Sequence, residues 1–283
     1  MKILITLNII GRLLNKVHFC LLQKTCHLGN FIYKRLLPLG QLQQLAHATS
    51  RIILFIILSI NIINANDIVS KQLIVVTTEN WSASEGKLQR YERTDTKWEK
   101  VGKSIEIKLG RNGLGWGRGL HRIPEDARFI KKEGDGKSPA GIFELKQAFG
   151  YAPFQIDYPY EIYTKDHHCV DDVNSKYYNK IVDSKRVKRD YQSYERMKFS
   201  EDYYKYGIVV DHNGIMEGEK SIRGAGSCIF IHIKSIPTAG CTVMEEAEIK
   251  EIIRWLDETK KPLLVQGTEK TVEALMKDER IRE

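Results

Sequence analysis

The first 66 residues contain no aspartate and no glutamate; Asp67 is the first carboxylate of the 283-residue chain. Seven cations (Lys2, Arg12, Lys16, Lys24, Lys34, Arg35 and Arg51) stand unopposed there, whereas the whole chain carries 44 Lys and Arg against 36 Asp and Glu. With those seven set aside, the formal charge of +8 shrinks to +1 over the rest of the chain. The basicity therefore reports an address, and no nucleic-acid partner is expected. Long apolar runs are scarce, and 28% charged residues argue against a polytopic membrane protein. Zinc patterns are missing as well. His121, His167, His168 and His212 with Cys169 match neither H-E-x-x-H nor paired C-x-x-C spacing, so no metal or other cofactor is expected. Repeats and low-complexity tracts are absent, and no composition break divides 67–283, which reads as one domain.

What is present begins with an export signal. Arg51, the mostly apolar run 52–63 and the small residue Ala65 have the layout of a secretory leader. The run is short against the roughly 20 residues of a membrane span. An uncleaved membrane anchor is the other reading. Residues 1–50 precede the signal where few residues ordinarily stand. Translation beginning nearer Arg51 would need a non-AUG codon, since no Met lies between Met1 and Met197. A mitochondrial-type targeting segment is the alternative. The division is thus a leader, 1–66, and a body, 67–283, expected in a periplasmic or secreted protein. Without Cys20 and Cys26, Cys169, Cys228 and Cys241 remain. An odd number outside the cytosol points to one disulfide and one free thiol.

Short runs rich in Ile and Val predict strands at 73–78, 87–93, 104–109, 207–212, 228–233 and 263–266. Ile249, Ile252, Ile253 and Leu256 recur at helical spacing, predicting one helix after Cys241 that Pro262 ends. Its start is obscure, because Met244 stands where a capping Ser or Asp belongs. The eight glycines of 110–141 predict turns and loops. The polar, tyrosine-rich segment 165–206 reads as a functional loop or lid, or a small helical insertion.

The chemistry centres on Cys241, in Pro237-Thr-Ala-Gly-Cys241 between an apolar strand and the helix. Read as opening that helix, Cys241 would have its thiolate stabilised by the helix N-terminus, with Gly240 turning backbone N–H groups toward substrate. His232, nine positions earlier, is the candidate base, giving an ion pair as the nucleophilic form. A lone pair of this kind is ordinarily a core thiol beside a satisfied histidine.

The surrounding motifs argue otherwise. Thr238-Ala-Gly-Cys241 with His232 upstream resembles the catalytic motif of the L,D-transpeptidases with a YkuD-type domain, a His followed by Ser/Thr-x-Gly-Cys. Gly134-Asp-Gly-Lys-Ser-Pro-Ala-Gly141-Ile-Phe resembles that family's G-x-(S/T)-P-x-G-x-(F/Y) signature. Gly226-Ser-Cys-Ile-Phe-Ile-His232, and Cys169-Val-Asp-Asp172 with Tyr177-Tyr-Asn179, resemble one branch of it. The resemblance spans about 73–267, and the joint order of the motifs carries it. Departures are Ala239 where many members have His, Thr242–Val243 where an Arg follows the Cys, and a short His-to-Cys loop.

The resemblance implies a mainly β fold: a β-sandwich of mixed sheets with one helix after the catalytic Cys and a long polar insertion. It implies acyl transfer on peptidoglycan tetrapeptide stems. Cys241 would attack the carbonyl at the L-centre of the diamino acid, releasing D-Ala, with His232 as base and then acid. Backbone N–H groups around Gly240 and Cys241 would hold the oxyanion. An acceptor amine of another stem or of a protein would take the acyl group, forming a 3→3 cross-link in the first case. Hydrolysis by the same nucleophile, as a carboxypeptidase or cross-link hydrolase, is one alternative; a wall-binding module with decayed catalysis is another. Thr238, Asp171, Asp172, Tyr178 and Asn179 are candidate substrate contacts, with Thr238 alternatively supporting the loop. If Cys228 and His232 share one strand, their separation is about 13 Å, which keeps Cys228 off the dyad. A Cys169–Cys228 disulfide is expected, leaving Cys241 free, with two unpaired buried thiols as the alternative.

Overall fold

The computed structural model describes residues 69–282 apart from Thr96 and Glu217. The expected leader, 1–66, with the apolar run 52–63, Ala65, Cys20 and Cys26, lies outside the described residues. Within them no helix is long and apolar enough to cross a membrane.

The fold is mainly β, with mixed sheets. At its centre β1 (Gln72–Thr78) pairs antiparallel with β2 (Glu85–Arg93) and parallel with β13 (Leu263–Thr268). Alternate side chains of β1 enter different cores. Ile74 and Val76 join the cluster of Ile249, Ile252 and Ile253, while Leu73 and Val75 pack with Val272 and Leu275. Both faces are covered, so this strand reads as an unbroken apolar run rather than an alternating one. β3 (Trp98–Lys108) continues the sheet beyond β2.

β4 (Leu114–Trp116) and β5 (Ser138–Gly150) were not expected, because Pro139, Gly141 and Gly150 punctuate the sequence like a loop. β5 is the longest strand, at 13 residues. Residues 141–144 pair with β13, whereas residues on the C-terminal side, from Leu145, pair with β10 (Tyr206–Val210). It thus switches partners midway and joins two halves of the large sheet, as strands at sandwich corners do. Gly141 is obligatory: its φ is +142°, and a Cβ would lie 1.9 Å from the His121 ring. β6 (Tyr160–Ile162) flanks β5.

The 165–206 segment is not helical. It holds β7 (His167–Cys169), β8 (Ile181–Asp183) and β9 (Glu195–Arg196), a small sheet in the order β8-β7-β9. Cys169 pairs across it with Glu195, so one side of the insertion carries both a cysteine and a carboxyl. Beyond it, β11 (Phe230–Ile233) pairs antiparallel with β10 and parallel with β12 (Thr242–Met244).

Helix α1 (Glu246–Trp255) buries Ile249, Ile252 and Ile253, the stripe read from the spacing. Its missing start signal is Glu245, whose N–H donates to Glu248 Oε2 at 3.2 Å. The helix ends before Pro262, with Leu256 N–H closing on Ile252 O at 3.1 Å. A second helix, α2 (Glu269–Leu275), follows β13; its two buried residues, Val272 and Leu275, make too short a stripe to announce it.

Cys169 and Cys228 form a disulfide across 59 positions. Closing a loop of that length removes unfolded-state entropy equivalent to roughly 4 kcal/mol. Reduction is expected to lower the melting temperature by about 10 °C on the scale for a domain of this size. Calorimetry with and without reductant checks this; coincident melts would contradict it.

Candidate active site

Cys241 directly precedes β12, and His232 lies on the neighbouring parallel strand, where Ile231 faces Thr242 and His232 faces Val243. Adjacent strands therefore deliver the two side chains, and both line a cavity of about 310 Å3. Cys241 is the free cysteine among the described residues.

The loop before the thiol is braced from both sequence motifs. Thr238 Oγ1 donates to the Cys241 carbonyl at 2.6 Å, and Ser138 Oγ reaches the same oxygen at 3.4 Å. Gln266 accepts from Thr242 Oγ1 at 2.8 Å while its Nε2 donates to Pro139 O at 2.8 Å. The Ser-Pro segment thus helps to fix the loop that carries Cys241.

Three expectations about Cys241 change. First, β12 separates it from α1, so no helix N-terminus stabilises a thiolate. Second, Gly240 N–H donates to Thr238 Oγ1 at 3.0 Å, which commits that amide inside the loop and removes it as an oxyanion donor. Third, Cys228 is not on the strand with His232: β11 begins at Phe230, and Cys228 has φ +55°. Its carbonyl accepts from Cys241 Sγ at 3.5 Å, and Phe230 N–H donates to Sγ at 3.4 Å.

The resting pair is neutral. Burial pushes the Cys241 thiol far above its ordinary value, the Glu195 carboxylate adds to this, and the Phe230 N–H opposes it. Burial lowers His232 to about 4, against the raising effect of its backbone hydrogen bonds. Nδ1 lies 3.1 Å from the carbonyl oxygens of both Tyr203 and Ile233, which only accept, so it carries the proton and Nε2 is the basic nitrogen. No hydrogen bond joins Sγ to His232 among the described residues.

The candidate substrate contacts divide. Asp171 lines the cavity; its carboxyl is raised by desolvation, and its buried Oδ1 has no partner. Asp172 instead braces its own segment, accepting from Asn174 N–H at 2.9 Å and Gln192 N–H at 2.8 Å. Tyr178 is buried, donating to Glu133 at 2.6 Å and accepting from Gly226 N–H at 3.1 Å. Asn179 is fully enclosed with both ends of its amide bonded to backbone. Thr238 also lines the cavity, while its hydroxyl supports the loop. Asp172, Tyr178 and Asn179 do not line the cavity. No cluster of three or more His, Cys, Asp or Glu suited to a metal occurs among the described residues. His168 Nδ1 faces Tyr191 Oη at 2.9 Å, and His121 accepts from Ile142 N–H at 3.0 Å.

Sequence reasoning missed Glu195 and Tyr204. Both line the cavity; Tyr204 donates to Glu195 Oε2 at 2.5 Å and packs edge-on against the His232 ring, centroids 4.7 Å apart. The available signal was a carboxyl set among Tyr191, Tyr194 and Met197. Burial raises Glu195 to about 7, with the Tyr204 hydroxyl opposing the shift. A raised carboxyl stabilises the fold fully below its unfolded value near 4.5, and that contribution is lost as pH rises through about 7. The melting-temperature advantage of Glu195→Gln over the parent is therefore expected to grow from pH 4.5 to pH 7 and then level off. A difference independent of pH would contradict the shift.

No known family profile matches the chain, and no curated protein matches it. Among solved structures it is similar to the helical cell shape determining protein Pgp2 from Campylobacter jejuni, at 16% identity and a TM-score of 0.30. The match covers 71% of this chain and 51% of that one, so this chain spans about half of its length. A likeness of that size carries no weight for function.

Proposed function

We propose that the protein is an exported cysteine L,D-transpeptidase acting on peptidoglycan tetrapeptide stems. One observation carries the reading: Cys241, with its free thiol, and His232, whose Nδ1 is held by backbone carbonyls, line the same cavity. The chemistry begins from a neutral thiol. As the stem carbonyl approaches, Sγ forms the C–S bond while its proton passes to Nε2. The imidazolium then gives that proton to the departing D-Ala nitrogen as the C–N bond breaks. The Cys241 amide is the oxyanion donor left in the loop once Gly240 is committed. An acceptor amine, from a second stem or a protein, attacks the thioester and restores the thiol.

A wall-binding module is the second reading, favoured by the buried, neutral thiol and the missing Cys–His hydrogen bond. Hydrolysis differs from transfer only in the acceptor. Incubation of the full chain with disaccharide-tetrapeptides, with products read by mass, separates the three. Cross-linked dimer supports transfer, tripeptide alone supports hydrolysis, and binding without turnover supports the module.

A further inference from the structure

Asn179 and Cys228 share an unusual backbone state. Their φ values are +59° and +55°, a region that few non-glycine residues adopt without a compensating tie. For Asn179 the ties are on the page. Its Nδ2 donates to the carbonyls of His212 at 3.0 Å and Asn213 at 2.9 Å, and its Oδ1 accepts from Cys228 N–H at 3.0 Å. Cys228 is held a second time through its sulfur, which is bonded to Cys169 on β7. Its remaining group, the carbonyl, receives the thiol of Cys241 at 3.5 Å. Amide, side chain and carbonyl of Cys228 thus each have a fixed partner, two from the insertion and one the nucleophile.

We propose that Asn179 and the Cys169–Cys228 disulfide are positioning groups for Cys241: together they hold the Cys228 carbonyl where it captures the thiol and sets the direction of Sγ. The inference rests on reading Cys241 as the nucleophile. With Phe230 N–H donating from β11 at 3.4 Å, Sγ lies between one fixed donor and one fixed acceptor. Losing the acceptor frees the thiol to turn about χ1. Misplacement of a reacting atom by about 1 Å costs on the order of 100-fold in rate. Neither Asn179 nor the disulfide needs to touch substrate, which accounts for a fully enclosed asparagine beside a reactive loop. It also makes an oxidising compartment a requirement for the chemistry as well as for stability.

The test uses the full chain carrying C20S and C26S, so that Cys241 is the one thiol outside the disulfide. Asn179→Gly removes the side-chain ties yet accepts the positive φ. Two readouts are taken on protein whose melt remains cooperative: the Raman S–H stretch of Cys241, and kcat and KM for a disaccharide-tetrapeptide. The S–H band is expected to move to higher wavenumber and broaden as the carbonyl acceptor is lost. kcat is expected to fall about 10- to 100-fold with KM within about twofold. An unmoved band, or a moved band with unchanged kcat, would overturn the proposal. If Asn179→Gly does not fold, C169S/C228S carries the same expectations, because the Cys228→Ser change keeps the carbonyl and removes the disulfide tie. Should the parent show no turnover, the proposed function fails but the band still decides whether the two ties fix the thiol.

Discussion

Cys241→Ala is expected to abolish product formation from a disaccharide-tetrapeptide, a loss of roughly a million-fold in kcat on the scale of nucleophile deletions in acyl-transfer enzymes. The reason is local. Cys241 is the free thiol of the described residues, its loop is pinned by Thr238 and Ser138, and its sulfur already sits between a donor and an acceptor. Deleting the sulfur leaves that scaffold standing, so the melting temperature should fall by only a few degrees, corresponding to about 1 kcal/mol. Loss of product together with loss of the fold would attribute the effect to structure instead. Product analysis beside a thermal melt distinguishes the two, and retained turnover in a folded variant would refute the assignment of the nucleophile.

His232→Gln is expected to cost about 100- to 10,000-fold in kcat, the usual range for a positioned acid–base group. Glutamine can still donate toward the Tyr203 or Ile233 carbonyl, which limits the structural penalty of leaving both unpaired. The parent's pH profile gives an independent check. A base works when unprotonated, and burial depresses His232 to about 4. The acid limb of kcat/KM attributable to this group should therefore lie near pH 4, not near the ordinary histidine value of 6.5. A limb near 6.5 that disappears in His232→Gln would show a solvated imidazole and contradict the enclosed geometry.

The sequence made some of this molecule legible and concealed the rest for identifiable reasons. β1, β10, β11 and β13 are short, β-branched and buried, so local composition sufficed. β5 defeated the reading because Pro139, Gly141 and Gly150 carry turn chemistry, yet the strand is held by β13 at one end and β10 at the other. That pairing is long-range and invisible to a local window. The same limit misplaced Cys241. Thr242, Val243 and Met244 look like the approach to a helix, but parallel pairing with β11 makes them a strand and removes the helix dipole from the thiol.

The candidate site was legible in its centre and not in its walls. The paired motifs located Cys241 and His232, which line one cavity. Tyr178, Asn179 and Asp172 were read as ligand contacts because polar residues in a long loop ordinarily face water or substrate. Their hydrogen bonds instead tie the insertion to itself, to Glu133 of the glycine-rich segment and to the residues that follow β10. Glu195 belongs to no motif, and its place in the cavity comes from pairing with Cys169 across the small sheet. Motifs single out residues in the sequence, whereas the groups that surround them are set by the fold.

The central claim is a covalent one, and trapping the intermediate tests it most directly. The full chain is mixed with a disaccharide-tetrapeptide, quenched in acid within the first turnover, digested, and its peptides weighed. The account predicts that the peptide containing Cys241 gains the mass of the disaccharide-tripeptide acyl group while free D-Ala appears in equal amount, and that His232→Gln slows both together. D-Ala released with no mass on Cys241, or the same release from Cys241→Ala, would contradict it.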